Sequence, residues 1–207
     1  MNSRASIYIV DDDVSVCRAL SILLEAHNYK VKTFACANDF LAAKHLKTSS
    51  CLVLDVSLPD IDGLALQEAM AAQKLTIPII FITGHGDIPM SVRAMKAGAI
   101  DFLPKPFTDK KLLAAVRLAI EKNKAQIKDQ AEVSKIKRRV KTLSPRELEV
   151  FRLVAKGMLS KQIAYKRGVS LQTIKVHRSR VMRKMKAETV TELIRFAKKL
   201  DIIPSRQ

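Results

Sequence analysis

Short apolar runs alternate with amphipathic stretches five times between residues 6 and 120 of this chain. The runs are typical of strands buried on both faces, and the stretches repeat their apolar residues with the period of a helix. This alternation predicts a doubly wound, five-stranded parallel sheet of the α/β class. The predicted strands lie near residues 6–10, 30–34, 51–55, 77–82 and 100–103, and the predicted helices near 14–27, 37–46, 63–73, 88–97 and 108–121.

The fifth predicted helix has no clear end. No glycine or proline interrupts residues 108–143, so the helix is expected to run on into a long helical linker. Two sets of apolar residues lie there at heptad-like spacing, and they leave open a self-associating coil or a solvated helix that separates two domains. The sets are Leu113, Val116, Ile120 and Ile127, and Val133, Ile136, Val140 and Leu143.

The remainder of the chain predicts an all-α domain of four helices. Only a Gly-Val-Ser turn separates the second helix from the third, which is the geometry of a helix-turn-helix. The predicted domains are therefore residues 1–121, a linker at 122–141, and 142–207. The four helices are predicted to begin at a capping box of Ser144 and Glu147, near Ser160, at a Ser170 cap and after Thr189.

The formal net charge of +17 is concentrated in the C-terminal part. Residues 1–120 contain 13 Lys and Arg against 12 Asp and Glu, whereas residues 121–207 contain 24 against 8. A neutral domain followed by a strongly basic one indicates that the second domain binds a polyanion, most simply double-stranded DNA. No apolar run has the length of a membrane span and no signal-peptide pattern is present, so we expect a cytoplasmic protein without a membrane partner.

Polar side chains with complementary chemistry follow four of the predicted strands. Asp11 to Asp13 follow the first strand, Asp55 ends the third, Thr83 ends the fourth and Lys105 follows the fifth. Ligands bind at the carboxyl edge of a parallel sheet, where we expect Asp55 to be presented rather than buried. Clustered carboxylates suit Mg²⁺, and the set fits phosphoryl transfer onto an aspartate. The alternative for Asp55 alone is a helix cap.

Four segments resemble the receiver domain of two-component response regulators: VDDD at 10–13, LDVSLP at 54–59, FITGHGD at 81–87 and KPF at 105–107. The resemblance implies that Asp55 is the phosphoacceptor and that Mg²⁺ is held by the carboxylates of Asp11, Asp12 and Asp55 and by the carbonyl of Ser57. It also implies that Thr83 and Lys105 contact the phosphoryl group, with a cis bond between Lys105 and Pro106.

The same resemblance implies a switch. The phosphoryl group draws the hydroxyl of Thr83 inward and Phe102 follows, so that a surface made of helix 88–97 and strand 100–103 forms a homodimer. The alternative for Phe102 is an ordinary core residue. Ser57 stands where common receivers carry a longer polar side chain, which leaves the lifetime of the phosphorylated state open.

The C-terminal segments resemble the four-helix DNA-binding domain of the NarL/FixJ (LuxR-type) regulators: SPRELEV at 144–150, GMLSKQIA at 157–164 and GVSLQTIKVHRSRVMRKM at 168–185. A helical wheel puts Ile174, Val181 and Met185 on an inner face of the third helix. Gln172, Val176, Ser179 and Arg183 lie on the opposite face, which is expected to enter the major groove. By resemblance Lys175, Val176 and Ser179 contact bases. Candidates for phosphate contacts are Lys161, Thr173, His177, Arg180 and Lys184.

Together these features predict a phosphorylation-activated transcription factor that receives its phosphoryl group from a sensor histidine kinase and binds DNA as a dimer, with RNA polymerase as a further candidate partner. Slow autodephosphorylation would be its only catalysis. One alternative is a regulator that ignores phosphate and uses the first domain only to dimerise. A second is a Mg²⁺-dependent phosphohydrolase, which would need a substrate cap and a general acid that the sequence does not display.

Overall fold

The computed structural model describes residues 4–43, 49–84 and 88–203. The chain divides into two compact units, Met1–Ile127 and Lys128–Gln207. Residues 44–46, for which a continuation of the second helix is predicted, lie outside the described residues. No helix within the described part combines the length and the apolarity that a membrane span requires.

The first unit contains the predicted five-stranded parallel sheet. Its strand order is β2-β1-β3-β4-β5, so β2 and β5 are the outer strands. The central strand β3 is buried along its whole length, as its apolar sequence predicts. The strands are β1 (Ser6–Val10), β2 (Lys30–Phe34), β3 (Ser50–Asp55), β4 (Ile79–Thr83) and β5 (Asp101–Pro104).

Successive residues of a strand point to opposite sides of the sheet, so each face presents apolar side chains that helices cover. Ile7 and Ile9 belong to one apolar cluster, whereas Tyr8 and Val10 belong to the other. Helix α2 is shorter than predicted, since Ala43 has extended backbone angles and ends it. The helices of this unit are α1 (Val14–Ala26), α2 (Ala37–Ala42), α3 (Gly63–Ala72), α4 (Ile88–Lys96) and the first part of α5 (Asp109–Val140).

Helix α5 runs without a break for 32 residues, as the absence of glycine and proline predicts. Val116 and Ile120, from the first heptad-like set, are buried in the core of the first unit. Ile136, from the second set, is 1% exposed in the core of the second unit. The interpretation of a solvated spacer is therefore wrong for the end of the helix, whereas Ile127, between the two cores along the chain, is 37% exposed.

The second unit contains the four predicted helices: α6 (Pro145–Ala155), α7 (Ser160–Arg167), α8 (Leu171–Met185) and α9 (Val190–Lys199). Their predicted caps are present. Ser144 and Glu147 form a reciprocal capping box, and the hydroxyls of Ser170 and Thr189 accept hydrogen bonds from the third backbone N–H of their helices. Gly168 ends α7 with a φ of 62°, a conformation that favours glycine.

Candidate acidic site and nucleic-acid interface

The carboxyl ends of β1, β3 and β5 bring three of the predicted site residues into contact. The ammonium nitrogen Nζ of Lys105 lies 2.8 Å from Oδ2 of Asp11 and 2.9 Å from Oδ1 of Asp55. The peptide bond between Lys105 and Pro106 is cis, as the resemblance implies. One cation therefore bridges two carboxylates that belong to different strands.

Asp55 is 5% exposed, so the expectation of a presented carboxylate is wrong. Strand β3 is central in the sheet, and Lys105 covers the side chain. This burial raises the pKa of Asp55, although hydrogen bonds from Lys105 and from the backbone N–H of Ser57 oppose the shift. Burial alone would lower the pKa of Lys105, but its hydrogen bonds to Asp11 and Asp55 outweigh that effect and raise it.

The other acidic residues after β1 differ in exposure and in role. Asp11 is buried and Asp12 is exposed. The carboxylate of Asp13 accepts hydrogen bonds from the backbone N–H groups of Ser15 and Val16, so it caps α1. Of the three consecutive aspartates, Asp11 is the one that the structure places in contact with Lys105.

The donor chemistry fits magnesium, because carboxylate oxygens are the ligands that this hard cation prefers. The carboxylates of Asp11 and Asp55 share one ammonium group, which puts both within reach of a common cation. Across the described residues, however, no group of three or more Asp, Glu, His or Cys side chains is arranged to hold a metal. The structure thus assembles two of the implied ligands, with Asp12 and Ser57 exposed beside them.

The predicted switch residues lie on neighbouring strands. Thr83 is fully buried at the end of β4 and pairs in register with Pro104 of β5. Phe102 is partly buried, and its ring centroid lies 6.1 Å from that of Phe81. Phe102 is therefore not enclosed on all sides. His85 lies outside the described residues.

A close backbone approach under Asp55 predicts a strong effect of Gly63→Ala. A methyl group on Gly63 would lie 2.6 Å from the carbonyl oxygen of Asp55 and 3.1 Å from the Cα of Val56. Because these neighbours are backbone atoms, the end of β3 must shift. We expect the first unit to lose about 1–3 kcal/mol of stability, measured by hydrogen exchange of β3 amides. Gly84→Ala is the control, since a methyl group added at Gly84 would meet no atom of the described residues within 4 Å. Equal losses in both variants would contradict this account.

Helix α8 has the two faces that the helical wheel predicts. Ile174, Val181 and Met185 are buried. The side opposite them is open to solvent and carries most of the candidate DNA-binding residues, whose contact with DNA stays a prediction. The exposed candidates are Gln172, Thr173, Lys175, Val176, Ser179, Arg180 and Arg183 on α8 and Lys161 on α7.

Lys184 differs from these candidates because it is engaged inside the second unit. Its Nζ lies 2.6 Å from Oε2 of the buried Glu147 and donates to the carbonyl oxygen of Thr142 at 3.0 Å. The hydrogen bond from Lys184 lowers the pKa of Glu147. This internal pairing argues against the predicted phosphate contact of Lys184. The ammonium group instead holds the end of α8 against the start of α6.

Two further polar residues of α8 face neighbouring helices. Arg178, which falls on the inner half of the wheel, donates a hydrogen bond to Oγ of Ser160 at 3.2 Å. His177 is half-buried beside a cleft that Arg146 and Thr173 also line. Its Nδ1 is shielded from solvent and has no hydrogen-bond partner among the described residues. The geometry thus favours packing over phosphate contact for His177.

Each of the two units matches a known protein family. Residues 7–117 match the response regulator receiver domain, and residues 141–197 match the bacterial regulatory proteins of the luxR family. The chain is a response regulator of the NarL/FixJ family. The resemblance inferred from the motifs is therefore confirmed, and with it the combination of a receiver and a LuxR-type DNA-binding domain.

Curated relatives of this response regulator match nearly its whole length. Nodulation protein W of Bradyrhizobium diazoefficiens is 45% identical over 201 residues, which cover 97% of this chain and 88% of the relative. Transcriptional regulatory protein FixJ of the same organism is 41% identical over 197 residues, 95% of this chain and 96% of the relative. Among solved structures, the response regulator StyR is 40% identical with a TM-score of 0.82, covering 95% of this chain and 100% of StyR.

Proposed function

We propose that this response regulator accepts a phosphoryl group on Asp55 from a sensor histidine kinase and, once phosphorylated, dimerises and binds promoter DNA. The observation that carries the proposal is the bridge from Lys105 to both Asp11 and Asp55. It joins a potential nucleophile, a cation and a second carboxylate at one sheet edge, where Thr83 also ends its strand. RNA polymerase remains a candidate partner on DNA, and the cytoplasm remains the expected location.

In the proposed reaction an oxygen of the Asp55 carboxylate attacks phosphorus and forms an acyl phosphate. The bond from phosphorus to the imidazole nitrogen of the kinase breaks, and the imidazole retains that electron pair. Mg²⁺, held by Asp11, Asp12, Asp55 and the carbonyl of Ser57, would supply positive charge toward the phosphoryl oxygens. The ammonium group of Lys105 donates a hydrogen bond to Asp55 in this structure. It therefore lies where it can offset the negative charge of the incoming phosphoryl group. No described residue would come within 4 Å of a methyl group on Gly84, which leaves room for the donor on that side.

Intact-mass measurement tests the acceptor. The full chain is incubated with Mg²⁺ and acetyl phosphate, and wild type is compared with Asp55→Asn and with Asp39→Asn, which alters an exposed aspartate. We expect one phosphoryl group on the wild type and on Asp39→Asn, and none on Asp55→Asn, because an amide oxygen is a far weaker nucleophile than a carboxylate.

Two outcomes would contradict the proposal. Phosphorylation of Asp55→Asn would place the acceptor elsewhere. Failure of the wild type to gain phosphate from acetyl phosphate and also from a set of sensor histidine kinases would favour a regulator that uses the receiver only to dimerise. Sedimentation of the phosphorylated and untreated chains then measures whether dimerisation depends on phosphate.

A further inference from the structure

A charged segment lies outside both the acidic site and the exposed face of α8. It consists of the last part of α5 and the residue after it, Lys128 to Lys141. We call this segment the basic end of α5; it contains six basic and two acidic residues. Both acidic residues have partners inside the second unit. Nζ of Lys199 lies 2.5 Å from Oδ1 of Asp129 and 2.6 Å from Oε2 of Glu132. The charge that this segment presents to solvent is therefore strongly positive.

Helical periodicity separates an inner and an outer side of the basic end of α5. Ile136 is buried in the core of the second unit. Arg139 turns toward the same core, where it donates a hydrogen bond to the carbonyl of Met185 at 3.1 Å and lies 5.8 Å from the ring centroid of Phe196. The outer side is basic and makes no ion pair with any described residue; its exposed members are Lys135, Lys137, Arg138 and Lys141.

Two hydrogen bonds hold this segment and the residue after it, Thr142, beside the C-terminal end of α8. One runs from Arg139 to Met185, the last residue of α8, and the other from Lys184 to the carbonyl of Thr142. Arg183, which the helical wheel assigns to the groove-facing side, is the residue next to Lys184. When α8 lies in a major groove, sugar-phosphate backbone runs along both edges of that groove. The exposed cations of the basic end of α5 are therefore close to the C-terminal end of α8.

We propose that the basic end of α5 is a second DNA-contacting element, in which Lys137, Arg138 and Lys141 neutralise backbone phosphates beyond the reach of α8. The inference rests on the proposed DNA binding and, through Lys137 and Arg138, extends the DNA-binding region upstream of the luxR-family match, which begins at residue 141. Phosphate contacts of this kind add affinity without reading sequence, and removing them weakens binding uniformly across sequences.

Salt dependence of DNA binding tests this assignment in the full chain after treatment with Mg²⁺ and acetyl phosphate, because the proposed DNA binding follows phosphorylation. The probe is a fluorescently labelled duplex of mixed sequence, and affinity is measured by anisotropy over a series of salt concentrations. One variant combines Lys137→Gln, Arg138→Gln and Lys141→Gln. The matched control combines Arg117→Gln, Lys122→Gln and Lys124→Gln, which removes the same charge from exposed positions earlier in the same helix. Glutamine preserves helix propensity in both variants.

Affinity decreases as salt increases, so the slope of log affinity against log salt is negative. We expect the magnitude of this slope to decrease by about 0.9 for each backbone phosphate that the variant no longer neutralises. The first variant should therefore show a slope smaller by about 2–3, and the control should stay close to wild type. Equal changes in both variants, or no change in either, would overturn the inference, because the cations would then act only through net charge or as a solvated face. A phosphorylated wild type that binds no duplex at any salt would refute the proposed DNA binding itself.

Discussion

Replacing Lys105 with methionine is expected to lower the free energy of unfolding of the receiver by about 3–5 kcal/mol at neutral pH. The ammonium group bonds both Asp11 and Asp55, whose side chains are 1% and 8% exposed. Without it, two buried carboxylates lie close together, and no other cation among the described residues forms an ion pair with either. Opening free energies from hydrogen exchange of β1 and β3 amides measure the decrease.

The destabilisation by Lys105→Met should depend on pH. Burial already raises the pKa of Asp55 in the folded chain, and removal of the neighbouring cation raises it further. A carboxyl group with a raised folded pKa disfavours folding once it ionises, so stability falls as pH rises from the unfolded pKa of about 4 through the folded value. The variant should therefore regain stability in acid. Lys111→Met, at an exposed position, is the control.

Two results would contradict this account of Lys105. One is a destabilisation as small as that of Lys111→Met at neutral pH. The other is a destabilisation that stays constant between neutral and acidic pH, since the proposed cause is carboxylate ionisation. Adding Asp55→Asn to Lys105→Met should restore part of the stability, because the amide removes one of the two unpaired charges.

Ile136→Ala is expected to destabilise the DNA-binding unit by about 2–5 kcal/mol. The side chain is 1% exposed and packs with the residues of α6, α8 and α9 that form the second core. Truncation removes buried apolar surface and leaves a cavity. Hydrogen exchange of α6, α8 and α9 amides in the full chain measures the effect, and β3 amides should keep their wild-type protection.

The control for Ile136→Ala is Ile127→Ala, which makes the same substitution in the same helix at a side chain that is 37% exposed. We expect its cost to be well below that of Ile136→Ala. If the two variants were equally destabilised, or if the exchange of α8 and α9 amides were unchanged in Ile136→Ala, the end of α5 would not belong to the core of the DNA-binding unit.

Elements defined by local sequence could be predicted almost completely. Strand β3 is apolar throughout, and its burial on both faces follows from that composition. The boundaries of α6 to α8 follow from caps such as Ser144, Gly168 and Ser170, whose side chains or backbone freedom act within one helical turn. The order of site residues also follows from the chain, because parallel strands align their carboxyl ends at one edge.

Features that depend on distant residues could not be predicted in the same way. The burial of Asp55 depends on Lys105, 50 positions away, lying across it. The pairing of Lys184 with Glu147 joins residues 37 positions apart, and neither neighbourhood contains a signal for the other. An amphipathic stripe in α5 shows that Ile136 needs a partner but not which helices supply it.

The outer strands of the sheet restrict how two copies of this regulator can associate. Strand β2 presents exposed Lys30 and Lys32, and an added strand would have to pair beside these ammonium groups. Strand β5 has four residues and ends at Pro104, which has no backbone N–H to donate. Both edges thus oppose β-augmentation, in which the sheets of two copies join into one. Association through helices and side chains does not require pairing at either strand edge. Two copies joined in that way can separate again without refolding a strand.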